Sequence, residues 1–239
     1  MYKGKTVSVV ISTYRERNSM RYAIEEFFAS GYVDEIIVVN NNAEPGTDDE
    51  VKQTKATLIY ESRQGYGYGY RAGIQAASGD YIVLCEADGT FAGKDIERFL
   101  VFAQDFPVVL GSRTNQSTLL DMQAMNPVRR IVDVIYAKVI EVMFATKTLT
   151  DIGCTYKLFR KDTLRRLEPY FQTTDSLFAT ELLLLVVTRR IPFVEIPVTF
   201  RPRIGTSGTI PHLRALVYWA VRIWIFIWAC WWKWQLKKI

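Results

Sequence analysis

With 239 residues, 49% of them hydrophobic, the chain is long enough for one large α/β domain with an appendage and apolar enough to fill its core. Its formal charge of +5 suits anionic partners, but no Lys/Arg block typical of a nucleic-acid-binding tail is present, so nucleic acid is not an expected partner. A single histidine, His212, excludes His-based triads and His-rich metal sites, and the three widely spaced cysteines, Cys85, Cys154 and Cys230, sit in apolar runs that favour packing in a reducing compartment over a disulfide or zinc site.

The amino terminus passes directly into a β-branched strand without a signal-peptide pattern, so the body of the protein is expected on the cytosolic side. Apolar β-rich runs at Thr6 to Ser12, Glu35 to Asn40, Thr57 to Tyr60, Tyr81 to Cys85 and Pro107 to Leu110 alternate with helical patterns at about 18 to 30, 68 to 77 and 93 to 104. This alternation predicts a parallel sheet covered on both faces, with ligands outside the carboxyl ends of its strands. Polar clusters fall at those ends: Thr13-Tyr14-Arg15-Glu16, Asn40-Asn41-Asn42 and Glu86-Ala87-Asp88.

The last of these clusters is the most informative. Side chains two apart on a strand point the same way, so Glu86 and Asp88 should emerge together. Such a pair suits a hard divalent cation, whose remaining positions go to water and substrate phosphates; a solvated Asp-Gly turn explains the same residues without any ligand. The run Gly65-Tyr66-Gly67-Tyr68-Gly69-Tyr70-Arg71 has the look of a dinucleotide fingerprint, yet it lacks the βαβ setting and the acidic partner that such a site requires.

Beyond about residue 112 the pattern changes. A linker with Asn115, Gln116 and Ser117 leads to a helix from about Pro127 to Ala145, whose proline suits a first turn. A strand-like run from Cys154 to Phe159, a helix around Leu177 to Thr188 and a strand from Phe193 to Phe200 follow. No internal repeat is visible. All six tryptophans fall in the final 21 residues, and Arg222 is the one charge between Ala215 and Trp232. Seven Leu, Ile, Phe or Val residues there, at roughly −0.3 to −0.6 kcal/mol each, barely offset one central Arg at roughly +2.5 to +3.5. On a helical wheel Arg222 and Lys233 lie about 20° apart, with Trp224, Trp228, Trp231 and Trp232 on the other side. The segment therefore reads as a helix lying in a membrane interface, its cations (Lys237 and Lys238 included) directed to lipid phosphates, with a transmembrane span and a buried Trp-rich helix as alternatives.

The series VSVVISTYRE, DEIIVVNNNAEPGT, GYGYGYRAGIQAASGDYIVLCEADG, LGSR, DIGCTYKLFRKD and EIPVTFRPRIGTSG resembles the family-2 glycosyltransferases of GT-A fold, in particular the dolichol-phosphate mannose synthase and polyprenyl-phosphate glycosyltransferase branch. The similarity runs from about residue 6 to 210. It implies an α/β GT-A domain over 1–210, with a Rossmann-like mixed sheet covered by helices. Residues 1–112 would form its nucleotide-sugar half and 113–210 its acceptor half, followed by a membrane-anchoring helix in 211–239.

By the same resemblance Thr13, Tyr14 and Glu16 cradle the nucleotide, Asn40 stands where an aspartate usually contacts base or ribose, and Arg71 either reaches the diphosphate or lies on the surface. Glu86 and Asp88 stand for the Asp-x-Asp motif that holds Mg²⁺ or Mn²⁺. Arg113, Arg129, Arg201 and Arg203, with Ser207 in a glycine-rich loop, would hold an acceptor phosphate, guanidinium forks being suited to its oxygens. Asp151 matches an aspartate near the reacting centre, as acceptor orienter or as base toward a hydroxyl. Glu181 matches a further acid that equally suits a structural hydrogen bond. Catalysis would rest on Asp88, Asp151, Arg113, Arg129 and Arg203. The implied activity is inverting, metal-dependent transfer of a mannose- or glucose-type hexose from a GDP- or UDP-sugar to a polyprenyl or dolichyl phosphate at the cytosolic membrane face. Transfer to a saccharide hydroxyl and a catalytically silent membrane scaffold are the alternatives.

Overall fold

The computed structural model describes residues 1–114, 126–205 and 213–236. Strands β1 (Val7–Thr13), β2 (Glu35–Asn40), β3 (Thr57–Tyr60), β4 (Tyr81–Cys85), β5 (Val108–Ser112), β6 (Lys157–Arg160) and β7 (Phe193–Pro197) form one sheet in the order β3-β2-β1-β4-β6-β5-β7. Both halves of the chain contribute to it. Helices α1 (Arg17–Ala29), α2 (Thr47–Lys52), α3 (Tyr66–Ala76), α4 (Ile96–Phe102), α5 (Pro127–Phe144), α6 (Lys161–Leu167), α7 (Phe178–Thr188) and α8 (Leu213–Leu236) cover it.

Strand alternation sorts the core into two layers. Val7, Val9 and Ile11 of β1 pack under α1 and α4, against Met20, Ile24, Phe27 and Phe99, while Val10 faces Tyr70 and Ile74 of α3 on the opposite side. The second layer also holds Ile140 and Phe144 of α5, Leu183 of α7 and Ile227 of α8. Helix α3 approaches the sheet closely at two glycines: a Cβ on Gly73 would stand 2.3 Å from Val10 Cγ1, and one on Gly69 would stand 2.0 Å from Ser12 Oγ. Gly69 and Gly73 thus serve helix–sheet contact, while Gly65 and Gly67 lie against the backbone of Thr173 and Thr174.

The sheet departs from the all-parallel arrangement that strand and helix alternation suggests. β6 runs antiparallel to both β4 and β5, and the other pairs are parallel. The strand-like run expected from Cys154 begins later, at Lys157, and the one expected to reach Phe200 ends at Pro197. Helices α2 and α6 carry no strong periodic signal and were not expected.

Helix α5 is started by Asn126, whose side chain accepts from Val128 N and Arg129 N, with Pro127 in the first turn. Helix α8 lies beside α5 in the same direction: Tyr136 donates to the Ala220 carbonyl and Trp231 Nε1 to the Met143 carbonyl, each at 2.8 Å. No helix among the described residues is long and apolar enough to cross a membrane. Arg222, expected to face lipid phosphate, instead binds Asp175 at 2.5 Å.

Candidate active site

In-register pairing brings three loops to one edge. Thr13 pairs with Asn40 and Ile11 with Cys85, so the segments leaving β1, β2 and β4 emerge together. After β1, Glu16 folds back on its own loop, accepting from Thr13 Oγ1 at 3.1 Å and from Tyr14 N and Arg15 N at 2.8 Å. Tyr14 is left exposed, with the Arg15 guanidinium 4.9 Å from its ring. After β2, both ends of the Asn40 amide are engaged: it donates to Asp48 Oδ1 at 2.6 Å and accepts from Ala43 N at 2.8 Å. Asp48, which sequence reading passed over, thereby places a carboxylate from the first turn of α2 beside the strand end that lacks one. Asn41 pins the next loop, bonding the Glu61 and Arg63 carbonyls and Gly65 N.

Glu86 and Asp88 converge as their spacing predicts, and the group they converge on is Arg203. Its Nη2 lies 2.7 Å from Asp88 Oδ2 and 3.5 Å from Glu86 Oε2, and its Nη1 is 3.7 Å from Glu16 Oε1. Asp88 is buried, with Oδ1 accepting from Thr90 N and Oγ1, whereas Oδ2 accepts no hydrogen bond. Burial and then Asp88 push the Glu86 carboxyl up; Thr155, Arg203 and Arg113 oppose that rise. Residues 201–204 are strapped across the acidic tip, Arg201 N donating to the Thr90 carbonyl and Ile204 N to the Asp88 carbonyl, each at 2.9 Å. Gly89 allows this: its φ is +75°, and an added Cβ would stand 2.7 Å from Ile204 Cδ1.

The antiparallel β6 brings its entering loop to the same edge. Thr155 Oγ1 donates to Glu86 Oε1 at 2.8 Å, and Asp151 four residues earlier binds Arg113 through Nε and Nη2 at 2.8 Å and through its backbone N at 2.9 Å. Gly153 N adds a fourth donor at 3.0 Å. Burial alone pushes the Asp151 carboxyl up, but the Arg113 charge and hydrogen bonds outweigh it and hold the group at about 2. A carboxylate so satisfied is a poor proton acceptor, and its bonds make Asp151 the anchor of Arg113. Arg113 is correspondingly buried and committed.

Of the remaining arginines, Arg129 acts with Arg113 on Asp133, whereas Arg71 and Arg201 are engaged elsewhere. Arg129 stands exposed in the first turn of α5. Arg201 turns to α1, donating to Glu26 Oε2 at 2.7 Å, to the Phe91 carbonyl at 2.8 Å and to Tyr22 Oη at 3.1 Å. Arg71 is held away from the tip by the Thr173 carbonyl at 2.6 Å and packs on Phe171 and Phe178. Glu181 accepts from Gln172 N and from Thr173 N and Oγ1, an anchoring role for the 172–173 turn. Ser207 lies outside the described residues. Among the described residues no group of three or more acidic, Cys or His side chains could hold a metal ion; the Glu86 and Asp88 pair, whose buried Asp88 Oδ2 already lies against a cationic guanidinium, is the arrangement that fits one.

Residues 8–167 match the model for "Glycosyl transferase family 2". Among curated proteins the chain is 25% identical to the low-salt glycan biosynthesis hexosyltransferase Agl6 of Haloferax volcanii, over 85% of this chain and 49% of that one. It is 22% identical to the dolichyl-phosphate beta-glucosyltransferase of Saccharomyces cerevisiae, over 84% of this chain and 68% of the relative, and 22% identical to a dolichyl-phosphate hexose transferase of Haloferax volcanii, over 88% and 89%. The chain thus spans about half of Agl6. A solved structure of Mycobacterium tuberculosis glucosyl-3-phosphoglycerate synthase with Mn²⁺, UDP and phosphoglyceric acid superposes with a TM-score of 0.71 at 14% identity, covering 95% of this chain and 79% of that one. The same enzyme with Mg²⁺ and UDP gives 0.72. The mixed sheet, the three loops at one edge and the acidic tip are those of a GT-A glycosyltransferase, and the chain belongs to glycosyl transferase family 2.

Proposed function

We propose that the protein transfers a hexose from a nucleoside diphosphate sugar to an isoprenoid phosphate, with inversion at the anomeric carbon. One observation carries the reading: a buried carboxylate oxygen on Asp88, free of hydrogen bonds, faces a cationic group at the carboxyl edge of the sheet, beside Glu86 and the Arg113–Asp151 pair. Relatives named for dolichyl-phosphate hexosyl transfer, and neighbours holding UDP with Mn²⁺ or Mg²⁺, support the donor and acceptor classes.

Glu86 and Asp88 would hold the divalent ion, which when bound offsets negative charge on the departing diphosphate. The side chains around them supply position. Glu16 and Asn41 fix the loops that border the donor, and Asp151 holds Arg113 with its charge directed at the reaction edge. A phosphate acceptor arrives already ionised, so displacement needs alignment and charge compensation more than a strong base. That fits a site whose central aspartate sits at about 2.

Two helices support a membrane-facing surface. Val217, Val221, Trp224, Ile225, Trp228 and Trp232 of α8 are exposed, as are Val128, Ile131, Ile135 and Val142 of α5. The outward stripe of α8 carries no charge between Val217 and Trp232, since Arg222 is turned to Asp175. An uncharged, Trp-bearing face of this kind suits immersion at the headgroup boundary of a bilayer.

The test is incubation of the full chain with a panel of UDP- and GDP-sugars, Mn²⁺ and an isoprenoid phosphate, with mass detection of the lipid product. Product should form with at least one donor, and Asp88→Ala should abolish it while leaving the melting temperature within a few degrees. Transfer to soluble sugars with none to the lipid phosphate would overturn the acceptor class.

A further inference from the structure

Sequence reading passed over Asp133, yet the structure places it against the centre of the acceptor half. It is the first of four inward positions on α5, Asp133, Ala137, Ile140 and Phe144, and it is 6% exposed. Its Oδ2 lies 3.6 Å from Arg113 Nη2 and has no hydrogen-bond partner. Asp151 has taken the two-point grip on the same guanidinium. A buried carboxylate whose nearest cation, 3.6 Å away, is already gripped by another carboxylate is costly unless it gains a proton or a partner.

The charges facing Asp133 are Arg113 from the end of β5, Asp151 from the loop entering β6 and Arg129 one turn earlier on its own helix. Two guanidiniums face two carboxylates, so the cluster is neutral when Asp133 is ionised and carries one positive charge when it is protonated. Burial and then Asp151 push the Asp133 carboxyl up to about 6 against the pull of Arg113 and Arg129. Asp151, with four donors, keeps its charge; Asp133 is the member that takes the proton. The cluster borders the reaction edge, because one short loop carries both the Asp151 grip on Arg113 and the Thr155 bond to Glu86.

We propose that Asp133 is an acceptor-binding residue that admits a phosphate as the neutral acid, its hydroxyl donating a hydrogen bond to a phosphate oxygen beside Arg113 and Arg129, and repels the same oxygen as the carboxylate. No covalent step is involved; on ionisation the proton passes to water. The inference rests on the proposed phosphate acceptor and adds to it a residue, a protonation state and a pH dependence.

The experiment is calorimetric titration of the full chain with farnesyl phosphate in detergent, from pH 5.5 to 8, for the native protein and Asp133→Asn. The ligand's own second ionisation affects both proteins alike, so the difference between them reports Asp133. Native affinity should fall relative to the variant by about tenfold or more between pH 6 and pH 7.5, and the variant should be the tighter binder at pH 8. Asp133→Ser, small and neutral, should follow Asp133→Asn and takes its place if the amide disturbs folding. Parallel pH profiles would overturn the role of Asp133 and leave the phosphate acceptor standing. Native affinity rising with pH relative to the variant would overturn it too. If neither protein bound farnesyl phosphate while both still bound the nucleotide sugar, the phosphate-acceptor reading itself would fall, and this inference with it.

Discussion

Arg203 carries a positive charge to the place where an acidic pair would hold a divalent ion, 2.7 Å from Asp88. A metal entering without donor must compete with that guanidinium, whereas a donor diphosphate gives Arg203 a second anion to hold. Arg203→Ala should therefore tighten Mn²⁺ binding in the absence of nucleotide, by about tenfold, while lowering transfer; calorimetry with Mn²⁺ alone reads the first effect. Unchanged metal affinity would show that the contact does not obstruct the ion. The Asp151–Arg113 pair has a different signature. Asp151 lies at about 2 against an ordinary 3.8. Its folded value is depressed, so its stabilisation is complete above about pH 4 and is lost as pH falls toward 2. Asp151→Asn should cost about 3 kcal/mol at pH 7, and the deficit should shrink below pH 4 in urea unfolding curves. A deficit constant across that range would mean that packing, and not charge, is lost.

At the scale of the element, α8 inverts the usual pattern of a surface helix. Ile223 and Ile227 are buried, yet Trp224 and Trp228, at 45% and 51% exposed, stand outward with no polar residue between them on that face. Trp228 stacks on Trp232, with ring centroids 5.9 Å apart. Paired glutamates at Trp224 and Trp228 should weaken binding to anionic vesicles by about tenfold or more and leave the far-ultraviolet circular dichroism unchanged. Retained vesicle binding would point to a different membrane surface. Helical periodicity reveals the length of α8, but it cannot tell which of two apolar faces meets the core. Segregation on the wheel put Arg222 on a lipid-phosphate side; its contact with Asp175, from a turn far away in sequence, was not available to such a pattern. Helix α2 escaped for another reason: six residues are too few to show a period.

For the whole molecule, the strands and their polar ends were legible because continuous apolar runs ending in Thr13, Asn40 and Glu86 follow from strand burial on both faces. What could not be read was direction. Nothing in the composition of residues 157–160 distinguishes a parallel from an antiparallel strand, and the reversal of β6 decides which loops meet. It also explains why Asp133 was passed over while Asp151 was found: a carboxylate at an inward helical position is a usable signal, yet it gains meaning only once β6 has carried Asp151 to Arg113. Insertion of a short Gly-Ser segment after Gln104, at the edge where β5 begins, should leave turnover unchanged. The same segment at Gly153 should abolish turnover, with donor binding as the control, since it would part Thr155 from Asp151.

β6 therefore lends the catalytic rim its beginning where every neighbouring strand lends its end. A survey of such proteins restricted to residues following strands would miss this contribution, and so would a hybrid enzyme built by exchanging those following loops alone. If the proposed function holds, transplanting acceptor preference requires the stretch that leads into the reversed strand to travel with the loops it meets.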